Sequence, residues 1–265
     1  MDQVQKITVE SINEFGSEAT IKKYQVIADE GLWESEKILI DKYFPVGSKI
    51  LDVGCGSGRT AMPLFKAGHS VVGVDITPQM IGLAKKKAVD HKLAINYRIG
   101  DATNLEFAND LFDGAIFANN GWAQIPGKQK RQDALNEIHR VLKPGGVLIL
   151  TAHKRYYDLR TTFFWLGQFI KLHVLKPAGL KAKELELGDI FFRRQSIDNH
   201  KLKQQQFIHM SREKEVEKQI NNSKFKLLFR ETMGNVSKLD GQSMKGSLSK
   251  HFNSFKSPVF YVCQK

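Results

Sequence analysis

Between Lys49 and Ala152 the chain repeats one pattern: a short apolar run, a turn, a helical stretch, then another apolar run. Continuous apolar runs suit strands buried on both faces, and helices between them require the crossovers of a parallel sheet. The predicted strands are KILDV (49–53), SVVGVD (70–75), INYRI (95–99), FDGAIFA (112–118) and VLILTA (147–152). Between them, a short helix starts near Thr60, where Pro63 is tolerated in a first turn, and ends at Gly68. A second runs from Pro78 to about His91 with Thr77 as its N-cap, and a third covers 127–142 before the Pro144-Gly145-Gly146 turn.

Outside this core the pattern changes. Residues 18–44 hold two amphipathic stretches that read as helices covering the C-terminal edge of the sheet. From 154 to 210 the alternation stops. That segment contains an apolar, aromatic stretch from Thr162 to Leu175 and two short strand-like runs, DIFFRR (189–194) and QQFIHM (205–210). Alternation resumes with SREKEVEKQI, a helix capped by Ser211, followed by the strands FKLLFRE and PVFYVCQ. The expected architecture is a single α/β domain over 1–265, doubly wound around a mostly parallel seven-stranded sheet. Its parts are a helical cover (1–48), a core (49–153), an inserted lid before the last two strands (154–210), and a final helix with strands (211–265).

The net charge of +12 is unevenly placed. Residues 1–150 carry 18 basic and 18 acidic side chains, leaving 22 basic against 10 acidic in 151–265. Such an excess fits contact with nucleic acid or another anionic surface, and equally a solvated Lys-rich face. Two cysteines, Cys55 and Cys263, are too few for a disulfide framework or a tetrahedral zinc site, and no metal is expected. The first residues do not read as a secretory signal and no apolar stretch is long enough to span a bilayer, so a cytoplasmic protein is expected.

The chemistry concentrates in ILDVGCGSGRT (50–60), where a buried strand turns into a helix. Gly54, Gly56 and Gly58 let the backbone approach a ligand closely, although a tight turn without ligand has the same appearance. Asp75 ends the second strand 21 residues after Gly54, where such folds hold ribose hydroxyls with a carboxylate. Its bland alternative is a charge at a helix N-terminus. A dinucleotide fingerprint needs a third glycine at 59. This chain has Arg59, and the glycine sits one residue earlier, which suits a cofactor without a pyrophosphate.

ILDVGCGSG, GVDITPQM, GDATNLEF, FDGAIFANN and LKPGGVLIL, in this order and spacing, resemble the successive motifs of class I S-adenosylmethionine-dependent methyltransferases. The resemblance implies S-adenosylmethionine as cofactor. Asp52 would orient its methionine amino end, directly or through water, above Gly54, Gly56 and Gly58, and Asp75 would hold the ribose. Ile76 and Met80 would pack on the adenine, with Asp101 and Ala102 at its amino group. Asn119 would lie by the sulfonium and Tyr24 would close over the cofactor. For Met80 and Tyr24 ordinary core packing is an equal alternative.

His153, Tyr156 and Tyr157 follow the fifth strand and are the candidates for a general base, with a purely structural His153 as alternative. The motif that related amino-methylating enzymes use on adenine or glutamine is absent after the fourth strand, as is a Pro-Cys nucleophile. Candidate acceptor contacts are Asn120 and Trp122, with Phe163, Trp165 and Phe169 in the insertion. A helix apolar all round is usually buried. The insertion is therefore expected to be a lid packed on the core, with an acceptor-pocket wall and a membrane or partner contact as alternatives. The expected activity is methyl transfer to a small or medium-sized, possibly apolar acceptor. RNA is the rival acceptor, and a catalytically silent module of the same fold is the rival from another class.

Overall fold

The computed structural model describes residues 1–193, 195, 205–238 and 258–265. The chain opens with helix α1 (Gln3–Phe15), ahead of the two stretches in 18–44 predicted to be helical. Asp2 caps it reciprocally: its Oδ1 accepts from the Gln5 amide at 2.8 Å, and Gln5 Oε1 accepts from the Asp2 amide at 3.0 Å. Helices α2 (Glu18–Ile27) and α3 (Glu34–Tyr43) follow, matching the two amphipathic stretches.

The core then alternates as expected: β1 (Lys49–Val53), α4 (Ala61–Lys66), β2 (Ser70–Asp75), α5 (Pro78–Asp90), β3 (Asn96–Ile99), β4 (Phe112–Phe117), α6 (Lys128–Val141) and β5 (Leu142–Ala152). Strand β5 starts earlier than expected. Leu142 already pairs with Phe112, and a register shift between Phe112 and Gly114 absorbs the Pro144–Gly146 stretch within the strand. Beyond it lie α7 (Leu159–Ile170), continued by one π-helical turn (Lys171–Leu175), β6 (Asp189–Phe192), β7 (Gln206–His209), α8 (Glu213–Asn222), β8 (Lys226–Thr232), α9 (Met233–Val236) and β9 (Val259–Gln264).

Seven strands form one sheet in the order β3-β2-β1-β4-β5-β9-β8. Only β9 runs against its neighbours β5 and β8. Both faces are dry: Leu51 and Val53 pack with Phe117, Leu135 and Ile138 on one side, while Ile50 packs with Ile116, Ile149 and Leu39 on the other. This two-sided burial is why the strands read as unbroken apolar runs. The winding reverses between β1 and β4, and the crevice beyond their C-terminal ends is where open α/β sheets place ligands.

The insertion differs from the expected buried lid. Strands β6 and β7 form a separate antiparallel hairpin, and the run predicted to 194 stops at Phe192, with Arg194 outside the described residues. On α7 only Trp165 and Gln168 are buried; Phe163, Phe164, Leu166, Phe169 and Ile170 are exposed. Polar bonds fasten the segment to the core. Gln168 donates to the Asp189 carbonyl and accepts from the Gly188 amide, both at 2.7 Å, and buried Arg131 pairs with Glu186 at 2.7 Å. Ser211 is not the cap of α8; Arg212 is. The Ser211 backbone is taken by the end of β5, donating to the His153 carbonyl at 3.0 Å and accepting from the Arg155 amide at 2.8 Å. Among the described residues no helix is long and apolar enough to cross a membrane.

Candidate functional site

A cavity of about 510 Å³ opens at the C-terminal ends of β1, β2 and β4. Its floor is the loop after β1, where Gly54, Gly56 and Gly58 all have positive φ. The reason differs along the loop. Gly56 lines the cavity, and a Cβ there would have its nearest contacts 3.8 Å away on the Tyr24 ring, so the backbone presents an open face. Gly58 lies below: a Cβ would stand 2.5 Å from Tyr97 Oη, and packing against Tyr97 rather than ligand contact requires glycine.

Asp75 sits at the end of β2, half-buried and facing the cavity. Its Oδ2 accepts from the Gly56 amide at 2.9 Å and its Oδ1 from the Thr77 amide at 2.8 Å. The Thr77 side chain makes no cap bond, so Asp75 also braces the start of α5, a role the cap at Thr77 was expected to fill alone. Burial raises the Asp75 carboxyl above the usual aspartate range. Ile76, Met80, Asp101, Ala102, Asn119 and Tyr24 also line the cavity. Met80 is buried as well, so it packs and lines at once. Tyr24 stands edge-on to Phe15 with ring centroids 5.8 Å apart. Asn119 and Asn120 both have positive φ, at 49° and 58°. Two consecutive non-glycine residues in this region hold strain that asparagine tolerates best, and such strain clusters at functional sites.

Asp52 does not reach the cavity. It is buried beneath the loop, its Oδ2 lacks a partner among the described residues, and burial pushes its carboxyl up to about 8. The nearby Arg59 is committed to Glu36 by a two-pronged ion pair of 2.6 and 2.7 Å, with its guanidinium 4.4 Å from the Trp33 ring centre. Arg59 and Glu36 thus clamp helix α3 to the loop, and Arg59 also lines the cavity.

The candidate bases are not brought to the site. His153 is buried off the cavity, where desolvation pushes its imidazole down to about 4. The Tyr156 carbonyl accepts from Trp165 Nε1 at 2.9 Å, and the exposed Tyr157 hydroxyl accepts from Arg212 Nε at 2.8 Å. Among the expected acceptor contacts, Asn120 and Trp122 are buried in the core, with Trp122 Nε1 donating to the Arg131 carbonyl at 3.0 Å. Phe163, Trp165 and Phe169 lie outside the cavity on α7. In place of the insertion, α1 forms the roof: Val4, Thr8, Ser11, Ile12 and Phe15 face the space, opposite Gln124, Ile125 and Pro126. The spacing of Val4, Thr8, Ser11, Ile12 and Phe15 is that of one helix face, and with the Asp2–Gln5 capping box it is the signal that marks this helix.

Glu186, Asp189 and His209 bring potential metal ligands within 4.8 Å of one another. Each already has a partner: Glu186 has Arg131, and Asp189 holds His209 Nδ1 at 2.8 Å together with the Leu185 and Glu186 amides. The buried guanidinium beside the carboxylates supplies the positive charge, and the group reads as the fastening of the β6–β7 hairpin.

Residues 50–146, which include the loop after β1 and Asp75, match the family model described as a methyltransferase domain. Over that stretch the chain is similar to methyltransferase domains. Its fold recurs in a SAM-dependent methyltransferase from Methanosarcina mazei, with a TM-score of 0.62 and 22% identity over 89% of this chain and 98% of that one. Demethylmenaquinone methyltransferase from Paenarthrobacter aurescens is 37% identical over 105 residues, 40% of this chain and 38% of its own. The enzyme of the same name from Symbiobacterium thermophilum is 32% identical over 161 residues, 57% of this chain and 60% of its own. The chain spans 36% to 60% of the length of such curated relatives. The family match runs from 50 to 146, so α1, which roofs the cavity, lies outside it.

Proposed function

We propose that this protein transfers a methyl group from S-adenosylmethionine to a small, largely apolar acceptor held beneath α1. The observation that carries the proposal is the continuity of the cavity: one end is polar and built from the methyltransferase motifs, and the other is walled by Val4, Ile12, Phe15, Ile125 and Pro126. The residues present fit the cofactor. Gly56 offers open backbone, the half-buried Asp75 carboxylate lines the cavity as an acceptor for hydroxyl donors, and the Asp101–Ala102 turn and Ile76 stand where a purine would be held. Relatives named for demethylmenaquinone support a small-molecule acceptor.

When bound, S-adenosylmethionine supplies a methyl carbon made electrophilic by its sulfonium. The chain's residues supply placement. Asp75 and the glycine loop fix one end of the cavity, and Asn119, two residues past the end of β4, lines it. Phe15 and Tyr24 stand together over the loop, and the α1 side chains wall the apolar end, so that the acceptor is oriented against them. Ser11 Oγ is buried, lines this end and has no partner among the described residues, which leaves it to bond a polar atom of the acceptor.

The test is tritium transfer from labelled S-adenosylmethionine to separated metabolite, lipid and RNA fractions. Label should enter a small-molecule fraction, and Ile12→Arg should abolish transfer while cofactor binding persists. Label entering RNA alone, or transfer indifferent to Ile12→Arg, contradicts the proposal.

A further inference from the structure

Helix α7 is built inside out. Its inward face buries Trp165 and the polar Gln168, whereas Leu159, Phe163, Leu166, Ile170 and Val174 point to solvent, 42% to 79% exposed. Their spacing, i, i+4, i+7, i+11 and i+15, is that of a continuous apolar stripe along one helix face. Soluble proteins rarely leave such a stripe uncovered. The inward face cannot be exchanged for it, because Gln168 is locked to Asp189 and Gly188 and Trp165 Nε1 to the Tyr156 carbonyl.

The charge around the stripe selects the occupant. Residues 159–183 contain five basic side chains and no acidic one. Lys171 is paired with Glu184, Lys183 with Glu10, and Lys176 Nζ donates to the Glu184 carbonyl at 3.1 Å, which leaves Arg160 and Lys181 as excess positive charge on the segment that carries the apolar face. Two copies meeting through this face would bring like charges together, on chains that each carry +12. An acyl-chain layer under anionic headgroups complements both features. The helix with its π turn is about 25 Å long at 1.5 Å per residue, and the bonds of Gln168 and Trp165 hold one side against protein, so it would lie along such a surface and not across it.

We propose that α7 and its π turn dock this protein on the surface of an anionic phospholipid membrane, with the stripe in the headgroup–acyl boundary and Arg160 and Lys181 among the headgroups. The proposal is independent of the assigned reaction.

Co-sedimentation with extruded vesicles tests it. The full chain should bind mixed phosphatidylcholine–phosphatidylglycerol vesicles at least about tenfold better than phosphatidylcholine alone, with binding falling as salt rises. Phe163→Ser with Ile170→Ser should reduce binding about tenfold or more, and Arg160→Glu with Lys181→Glu should erase the preference for the anionic lipid. All four side chains lie away from the cavity, so thermal unfolding and S-adenosylmethionine titration should match the unsubstituted protein, separating this proposal from the assignment of the cofactor site. Failure of the unsubstituted protein to bind the mixed vesicles would overturn the proposal. So would undiminished binding of the serine variant, or an acidic protein or a second copy occupying the stripe while lipid does not.

Discussion

Replacing Asp75 with alanine removes two things that the geometry separates. The carboxylate braces the loop through Gly56 and the start of α5 through Thr77, at 2.9 and 2.8 Å, and it lines the cavity. A hydrogen bond to a charged group is worth about 1.5–3 kcal/mol. Because the site is half-buried, the released amides can meet water, so both braces together should cost about 2–3 kcal/mol of folding stability. Loss of the two proposed ribose bonds should weaken S-adenosylmethionine binding by about 1.5–3 kcal/mol, a ten- to hundredfold rise in Kd. Asp75→Asn keeps one acceptor oxygen and should recover part of the stability but little of the affinity. Calorimetric titration beside thermal unfolding reads both quantities. Burial raises the Asp75 carboxyl, so acidification should weaken binding at a higher pH than an exposed aspartate would give. A folded Asp75→Ala protein that binds within about twofold of the unsubstituted one would refute the reasoning.

Gly58→Ala should cost about 1–3 kcal/mol, since its Cβ meets Tyr97 Oη at 2.5 Å and φ is 88°; the cost should shrink in a Tyr97→Phe background, and equal cost in both backgrounds would contradict the packing account. Asp52, raised from 3.8 to about 8 by burial, holds a proton in the folded state that the unfolded chain releases, so its contribution is present below about 4 and lost as pH rises through 8. Asp52→Asn should therefore gain stability relative to the unsubstituted protein by up to about 1.4 kcal/mol per pH unit over that window, read from denaturant unfolding curves. His153 has the opposite sign: with its pKa depressed from 6.5 to about 4, it supports stability above 6.5 and loses it as pH falls through 4. His153→Gln should flatten that acid limb and leave methyl transfer within about threefold, where removing a general base would cost about a hundredfold or more.

The strands were legible because burial on both faces leaves little choice of residue: KILDV and SVVGVD coincide with β1 and β2 residue for residue. The cofactor end of the cavity was legible for a related reason, since a backbone that must turn sharply and meet a ligand demands glycine and a carboxylate at set places. The acceptor end was not. Thr8 and Ser11 interrupt the apolar stripe of α1 because that face borders a cavity and not a packed core, and the helix passed unread. Helix α7 misled in the other direction. Hydrophobicity says that a face will be covered, not by what, and the polar side chain that faces inward, Gln168, finds its partners 20 and 21 residues away in the hairpin. His153 was read from its place after β5, but Ser211, pairing with the His153 and Arg155 backbone, carries that segment away from the cavity.

The most direct test of the cofactor and acceptor assignments is a crystal structure with S-adenosylhomocysteine bound. The ribose hydroxyls should lie on the Asp75 carboxylate, the adenine between Ile76 and the Asp101–Ala102 turn, and the sulfur should face the chamber beneath α1. A ligand bound away from Gly56 and Asp75, or one whose sulfur faces away from α1, would contradict these assignments.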